Sequence, residues 1–164
     1  MAGPTRQLDI PPSGTRGAWT PWPFLVRLMK PLMRGQVSRY RKAKSANPPV
    51  MMGMPTVLLT TVGAKTGNEH THVLGGFKDE DGTWLVVASN GGAPKHPHWF
   101  VNLAKNPDKI WLEIGNLKLA VQATLLRGQE RDAAYAKVVK VSPRYAGYPK
   151  KTDREIPVIR LKAR

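Results

Sequence analysis

Apolar residues recur at helical spacing near the N-terminus of the chain and in short strand-like runs after it. Over 22–44 they fall on one side of a helix, while Arg27, Lys30 and Arg34 lie on another. The apolar side carries Leu25, Leu28, Met29, Leu32, Val37 and Tyr40. The pattern predicts a basic amphipathic helical segment over 22–47, with Pro31 as a kink or interruption. Residues 1–21 are rich in Pro, Gly and Thr, which predicts a flexible tail.

From residue 48 onwards, turn residues separate short runs that are rich in β-branched and aromatic side chains. The predicted strands cover 56–62, 70–77, 83–89, 109–114, 117–126 and 156–161, and the predicted helices cover 98–105 and 129–141. The polar loop 78–82 joins the second and third strands as a hairpin. Because hairpins outnumber helices, the pattern favours a mainly β, α+β domain over 48–164, built as a small antiparallel barrel rather than a Rossmann fold.

The residue types that are missing narrow the possible chemistry. With no cysteine among its 164 residues, the chain has no disulfide, thiolate nucleophile or Cys-ligated metal. The polar N-terminus lacks the apolar core of a signal peptide, and no apolar run approaches the roughly 20 residues of a membrane span. These absences predict a cytoplasmic protein, one that could still lie peripherally at the inner face of the cell membrane.

Positive charge is concentrated in the first third of the chain. The formal net charge is +15, and residues 1–47 hold nine Lys/Arg against one acidic residue, Asp9. Such a field attracts anionic lipid, nucleic acid or an anionic cofactor. No zinc knuckle or RNP-type strand accompanies it, so we expect no nucleic-acid partner. Trp19 and Trp22 leave two interpretations open for 19–44: a helix packed on the core, and a helix lying on anionic lipid.

Two glycine-containing loops are the strongest candidates for a binding site. Lys65 lies between Gly63 and Gly67, and its ammonium group with the turn amides can form a nest for phosphate or carboxylate. An ordinary turn lysine is the alternative. Gly91-Gly92 lead towards a predicted helix, whose N-terminus carries partial positive charge. Two such loops suit a ligand that is flat at one end and negatively charged at the other.

Histidine and tyrosine pairs supply the other candidate side chains. His70 and His72 share one face of a strand, but no carboxylate or cysteine stands at ligand spacing, so we predict no metal site. Tyr145 and Tyr148 lie in a loop that contains proline and glycine. They either pack on the barrel surface or form a lid that stacks on a planar substrate and offers a phenolic proton.

Five segments, in the same order along the chain, resemble the deazaflavin (F420)-dependent nitroreductase and F420H2-dependent quinone reductase family. They are LLTTVGAKTG at 58–67, VASNGG at 87–92, PHWFVNLAKNP at 97–107, YAGY at 145–148 and KTDREIPV at 151–158. The resemblance implies a split antiparallel β-barrel with short helices, related to the pyridoxamine-phosphate oxidases. It also implies coenzyme F420, an 8-hydroxy-5-deazaflavin, as the hydride donor.

The resemblance assigns roles to individual positions. Lys65, Thr66 and Gly67 match the family loop that holds the phosphate and acidic tail of the cofactor, and Ser89 and Trp99 match positions that line its ring. The implied cofactor-binding set also includes His70, His72, Val73, Ala88, Asn90, Gly91, Gly92, Lys95 and His98. The implied catalytic residues are Tyr145, Ser89 and Tyr148, with Tyr145 or Ser89 as the proton donor.

Some positions depart from the family pattern. Ala64 and His70 stand where Arg is common, and Asn90 stands where Lys is common. Fewer cationic contacts should loosen the grip on the cofactor tail, unless Lys95 compensates. Ser142 occupies a position where some members carry a further tyrosine, which puts the reduction of bulky nitro compounds in doubt.

The function implied by the resemblance is an F420H2-dependent reductase that transfers a hydride to a conjugated enone, quinone or nitroaromatic compound. Two alternatives stay open on the sequence: an FMN-dependent oxidoreductase of the same barrel, and a non-enzymatic module that binds the deazaflavin or a lipophilic anion. The expected partner is a small-molecule substrate. The sequence leaves the oligomeric state open, with a monomer favoured.

Overall fold

The computed structural model describes residues 6–164, and one eight-stranded antiparallel sheet dominates it. The strands are β1 (Val50–Met51), β2 (Met54–Val62), β3 (Glu69–Gly75), β4 (Phe77–Lys78), β5 (Trp84–Val87), β6 (Ile110–Ile114), β7 (Leu117–Leu125) and β8 (Val158–Ala163). Their order is β1-β2-β6-β7-β8-β5-β4, and β3 pairs with the other edge of β2. The predicted mainly β, α+β class and the split antiparallel barrel are confirmed.

Short helices accompany the sheet. Within residues 6–164 they are α1 (Pro23–Lys42), α2 (His98–Lys105), α3 (Gly128–Val141) and α4 (Tyr148–Lys151), with 3-10 turns at Asn90–Gly92 and Pro143–Gly147. α2 matches the predicted helix at both ends, and α1 continues through Pro31 instead of breaking there. None of these helices is long and apolar enough to cross a bilayer.

The predicted strand over 70–77 is two strands in the structure, with the break at Gly75-Gly76. β3 pairs with β2, whereas β4 pairs with β5, so the predicted hairpin loop joins β4 to β5. A Cβ at Gly76 would lie 2.5 Å from a methyl carbon of Val57, so only glycine lets the chain cross here. The sequence does not reveal this break, because residues that favour β-strands continue on both sides of it.

Two apolar clusters hold the helices against the sheet. In the inner cluster, Phe100 and Leu103 of α2 pack beneath β2. In the second, Tyr135 and Val138 of α3 pack against β4 and β5. Burial of these faces removes apolar surface from water, which is the main source of stability in such a fold. His98 and Lys105, at the two ends of α2, remain exposed, and Asn102 is half-buried.

Residues 6–18 are tied to the barrel, which differs from the flexible tail predicted for 1–21. The N–H of Leu8 donates to Ala104 O at 2.9 Å, and the Leu8 side chain packs against the inner cluster. A segment rich in proline and glycine also suits an extended strap, as residues 6–18 are called below, that bonds to its neighbours. Residues 1–5 of the predicted tail lie outside the described residues.

The Asp153 carboxylate fixes this strap to the barrel through hydrogen bonds. Its carboxylate accepts the backbone N–H of Thr15 at 2.9 Å, the Thr15 hydroxyl at 2.6 Å and the backbone N–H of Arg16 at 3.0 Å. The Thr15 hydroxyl is the largest cause that lowers the pKa of Asp153 to about 2. The carboxylate therefore stays ionised at neutral pH and keeps its donors.

Helix α1 is fastened to the barrel at its C-terminal end. The buried Tyr40 hydroxyl faces Thr56 O at 3.0 Å and Glu113 O at 3.2 Å as a donor, and it accepts from Gly115 N at 2.9 Å. The Arg41 guanidinium adds a bidentate pair to the Glu113 carboxylate at 2.6 and 3.0 Å. These contacts join α1 to both β2 and the β6–β7 turn.

Tyr40→Phe should lower the free energy of unfolding by about 1–3 kcal/mol, because it leaves buried backbone groups without a partner. Urea denaturation at pH 7 measures the change. Tyr148→Phe is the matched control, since the half-buried Tyr148 hydroxyl has no hydrogen-bond partner among the described residues. No loss in Tyr40→Phe, or an equal loss in both variants, would show that other contacts hold α1.

Candidate functional site

The turn between β2 and β3 presents free backbone donors beside a lysine. Gly63 N donates to Asn68 O at 2.8 Å, and Gly67, at φ +70°, donates to Gly63 O at 2.9 Å. The N–H groups of Lys65 and Thr66 have no acceptor in the described part of the chain. Two free amides and an exposed ammonium group form a donor set that suits a phosphate or carboxylate.

Helix α2 holds this turn in place through two asparagines that the sequence analysis missed. Asn102 Oδ1 accepts the N–H of Ala64 at 3.0 Å, and Asn106 Nδ2 donates to Val62 O at 3.1 Å. Asn102 lies in α2, and Asn106 directly follows its last residue, Lys105, about one helical turn further along the chain. That spacing in an otherwise apolar helix was the available signal. The Lys65 turn and the start of α2 therefore form one unit.

Three histidines lie close to the turn. Strand alternation puts His70 and His72 on one face of β3. Burial lowers the pKa of His72, and the like charges of His70 and His98 lower it further. A Cβ at Gly63 would lie 2.5 Å from Thr66 Oγ1 and 3.2 Å from His70 Nε2, so glycine lets turn and strand meet. His72 is neutral at pH 7 and can offer one ring N–H to an anion.

The fourth histidine lies apart from these three. His96 is buried, with Nε2 at 2.8 Å from Pro11 O and Nδ1 at 3.2 Å from a guanidinium nitrogen of Arg154. A carbonyl only accepts and a guanidinium only donates, so the neutral Nε2–H tautomer satisfies both. Within residues 6–164, no three His, Asp or Glu side chains are arranged to hold a metal ion.

Val73 lies on the opposite face of β3 from His70 and His72, and that face meets Tyr145. Gly75 shares the face with Val73, and a Cβ at Gly75 would lie 2.5 Å from the Tyr145 hydroxyl oxygen. The predicted cofactor residues of β3 are thus divided between its two faces. A ligand that touches both sets must reach around the edge of this strand.

Tyr145 is packed in the second apolar cluster, whereas the sequence allowed for an exposed lid. It is 5% exposed, and its ring contacts Phe77 and Tyr148 edge-on with centroids 5.3 and 5.2 Å away. Its hydroxyl donates to Met54 Sδ at 3.5 Å. Burial raises the pKa of Tyr145 to about 12, so the hydroxyl keeps its proton at neutral pH.

The second predicted loop is a turn of three residues with positive φ. Asn90, Gly91 and Gly92 have φ of 44°, 64° and 82°, and Asn90 Nδ2 donates to Lys95 O at 2.9 Å. Gly91-Gly92 lead towards α2 but do not form its N-terminus, since α2 begins at His98, as predicted. The helix dipole therefore does not act at Gly91-Gly92, and any anion here depends on the turn amides themselves.

Helix α4 packs directly against this turn. A Cβ at Gly92 would lie 2.8 Å from Lys151 Cβ and 3.3 Å from Tyr148 O, so the glycine allows the close approach. The Lys151 ammonium lies 5.8 Å from the centroid of the Tyr148 ring. Tyr148 therefore lies next to the Gly91-Gly92 turn, which is what a shared site would require. Lys151, in the segment KTDREIPV, is a further cation beside this turn for which the sequence predicted no role.

The ring-lining candidates are mostly buried. Trp99 is 5% exposed and Ala88 is fully buried, both in the inner cluster. Ser89 is half-buried, and Lys95 is exposed. Trp99 meets Phe100 at 6.2 Å between ring centroids and 76° between planes, so it supports the site from below.

Two concavities lie away from these residues. One, of about 310 Å³, is lined by residues 6–9 of the strap together with 123–125 and Arg127. The other, of about 200 Å³, is lined by Asp79, Glu80, Asp81, Lys137 and Arg160. Neither contains a residue of the candidate set. In the second, Asp79 forms ion pairs with Lys137 and Arg160. The candidate site is therefore identified by its hydrogen-bond donors and not by the size of a cavity.

Comparison with known proteins gives one consistent result. A family model described as F420H(2)-dependent quinone reductase matches residues 32–162. An F420H(2)-dependent quinone reductase of Mycobacterium tuberculosis (strain H37Rv) is 34% identical over 145 residues, which cover 85% of this chain and 91% of that protein.

Solved structures agree with this match. An F420-H2 dependent reductase (FDR-A) superposes with a TM-score of 0.60 at 38% identity and covers 70% of this chain and 99% of its own. A second structure, described as a domain-swapped dimer, superposes with a TM-score of 0.62 at 36% identity and covers 79% of this chain and 96% of its own.

Proposed function

Because the chain belongs to the F420H2-dependent quinone reductase family, we propose that it reduces a quinone or a similar planar electrophile with reduced coenzyme F420. The observation that carries the proposal is the bond between Asn102 and Ala64, which joins the Lys65 turn to α2. One unit therefore presents anion donors and histidines, with the buried Trp99 packed in the cluster behind it. The family match supports F420 over FMN, and an oxidoreductase over a binding module.

The residues of the 48–164 domain fit an anionic, planar cofactor. The free N–H groups of Lys65 and Thr66, with the Lys65 ammonium, suit its phosphate and acidic tail. One departure from the family pattern has a structural use here, since the Asn90 side-chain amide donates to Lys95 O, whereas the bond from residue 64 to Asn102 comes from the backbone N–H and would form with any side chain except proline. Lys65 therefore carries most of the charge recognition in this turn.

When bound, a reduced deazaflavin supplies a hydride. Reduction of a quinone to a hydroquinone needs that hydride and one proton. We assign the proton to the Tyr145 hydroxyl, which stays protonated because burial raises its pKa to about 12. Its acceptor, Met54 Sδ at 3.5 Å, is weak, so a substrate oxyanion can replace it. Ser89 and Tyr148 are the other candidate donors, and the apolar cluster around Tyr145 excludes water.

Lys65→Ala should weaken F420 binding by about 1–3 kcal/mol, because a charge-assisted contact is lost. Quenching of deazaflavin fluorescence measures the affinity. Lys140→Ala is the matched control, since Lys140 is an exposed lysine at the end of α3. Tighter binding of FMN than of F420 by the wild-type protein, or unchanged binding in Lys65→Ala, would overturn the cofactor assignment.

Tyr145→Phe should lower kcat for quinone reduction by roughly 10- to 10⁴-fold, the usual worth of a general acid. F420 affinity should change little, because the ring stays in place. Steady-state rates with F420H2 and menadione measure the effect, with Tyr148→Phe and Ser89→Ala assayed beside it. If Tyr145→Phe keeps the full rate and one of the other two loses it, the proton comes from that residue.

We also propose that α1 rests on an anionic lipid surface. Leu28, Met29 and Leu32 are 76%, 47% and 63% exposed, so half of the apolar side does not pack on the barrel. No acidic residue occurs between Asp9 and Glu69, whereas nine Lys/Arg do. Apolar and basic residues together suit an interfacial helix. This position would place the barrel beside quinones dissolved in a bilayer.

Vesicle sedimentation tests this placement. The protein should sediment with vesicles that contain anionic lipid at low salt and be released at high salt, because basic contacts are screened. Replacing both Leu28 and Leu32 by Glu should cut binding at least tenfold, since each buried leucine contributes about 1.5–3 kcal/mol. Val141→Glu, at an exposed apolar residue of α3, is the control. Equal binding by both variants would count against α1.

A further inference from the structure

Arg154 is a buried cation whose donors serve backbone carbonyls. It lies between α4 and β8, is 6% exposed, and forms no ion pair within the described residues. Nε donates to Ala93 O at 2.8 Å, and Nη2 donates to Ser89 O at 2.8 Å. Nη1 and Nη2 both face Ala88 O at 3.2 Å. One guanidinium therefore fixes three carbonyls of the loop over 88–93.

Such a cation is unfavourable for stability in itself. A guanidinium stays charged in proteins, and its burial without a carboxylate carries a desolvation penalty. Carbonyl dipoles offset part of this penalty through charge-assisted bonds. An apolar side chain of similar length would fill the space without it. Arginine at position 154 therefore serves to fix the conformation of the loop over 88–93 rather than to fill space.

The fixed carbonyls determine where the amides of the loop point. In a trans peptide the C=O and N–H groups point in opposite directions, and no cis peptide occurs among the described residues. Because Ala88 O and Ser89 O face Arg154, the N–H groups of Ser89 and Asn90 face away from it. Neither N–H has an acceptor in the described part of the chain. Two donors are thus free on the side of the loop opposite the guanidinium.

We propose that Arg154 is a positioning residue, which holds the N–H groups of Ser89 and Asn90 ready for the oxygen-bearing edge of the deazaflavin ring. The inference rests on the proposed function and deepens it, since it concerns the ring, whereas the Lys65 turn concerns the tail. The Arg154 guanidinium acts through the loop, because it donates to the carbonyls of Ala88, Ser89 and Ala93. Donors that are already oriented need no reorganisation when the ligand binds, which is the benefit that offsets the buried charge.

The test compares two ligands by fluorescence quenching: F420, and the same deazaflavin without its phosphate and acidic tail. Arg154→Met should weaken both by the same factor, roughly 10- to 100-fold. Arg154→Lys should fall between it and the wild type, because lysine keeps the charge but not the planar fork. Lys65→Ala should weaken F420 alone. Unchanged binding in Arg154→Met, or a loss confined to F420, would overturn the proposal.

Arg131→Met separates positioning from a general loss of stability. Arg131 also donates twice to a single carbonyl, Ile156 O at 3.1 and 2.7 Å, but it does not touch the loop. This variant should unfold at lower urea concentration and still bind both ligands as the wild type does. If it weakens binding as much as Arg154→Met, the role of Arg154 is merely structural.

A second pair of variants keeps the proposal testable if Arg154→Met does not fold. Ser89 has φ −70°, which proline can adopt, so Ser89→Pro removes one N–H and leaves the carbonyls for Arg154. Ser89→Ala removes only the hydroxyl. Ser89→Pro should bind both ligands more weakly than Ser89→Ala does. Equal affinities of these two variants would contradict the proposed donor.

A measurement without ligand distinguishes this inference from the proposed function. If the wild-type protein binds neither deazaflavin, the proposed function fails. Amide NMR spectra of the ligand-free protein then decide on Arg154. Its replacement by Lys or Met should shift or broaden the signals of Ser89 and Asn90 and leave those of Lys65 and Thr66 unchanged. Unaltered Ser89 and Asn90 signals would overturn the positioning role.

Discussion

A crossing that only glycine allows determines how the barrel is built. β3 and β4 follow each other in the chain but pair with different strands, and Gly76 lies between them against Val57. A side chain at Gly76 would push β3 from β2 or β4 from β5. His70 and His72 project from one face of β3, and Tyr145 packs on the opposite face. The placement of this one strand therefore determines where the histidines and Tyr145 lie relative to each other.

Features that depend on neighbours in sequence were predictable, and those that depend on distant partners were not. The limits of α2 follow from its apolar spacing and from the Asn106-Pro107 stop beside it. The glycine-flanked Lys65 turn, proposed to bind an anion, is likewise a local feature of the sequence. The bond from Ala64 to Asn102 joins residues 38 positions apart, and no periodicity contains it. The burial of Tyr145 depends in the same way on strands and a helix that its own loop does not reveal.

The charges of the molecule divide into compensated and uncompensated groups. On one side, Asp79 accepts from Lys137 and Arg160, and Lys137 is the first cause that lowers the pKa of this carboxyl group. Glu130 also pairs with Arg160. On the other side, α1 and the Lys65 turn carry cations with almost no acidic neighbours in sequence. Among the cations of α1 and of the Lys65 turn, only Arg41 forms an ion pair within the described residues, with Glu113. The uncompensated charge thus lies on the segments where lipid and cofactor are proposed to bind.

Asp153 and Arg154 are neighbours in sequence that hold different segments of the chain. Asp153 fastens the strap through Thr15, while Arg154 fastens the loop, and His96 joins Arg154 to Pro11 of the strap. Two segments that share one set of anchors are thermodynamically linked, and the linkage is reciprocal. A ligand that binds the loop should therefore protect the strap from proteases, and cleavage in the strap should weaken binding of the ligand. The strap over 6–18, close to the end where tags and fusions are commonly attached, therefore supports the loop of the proposed site.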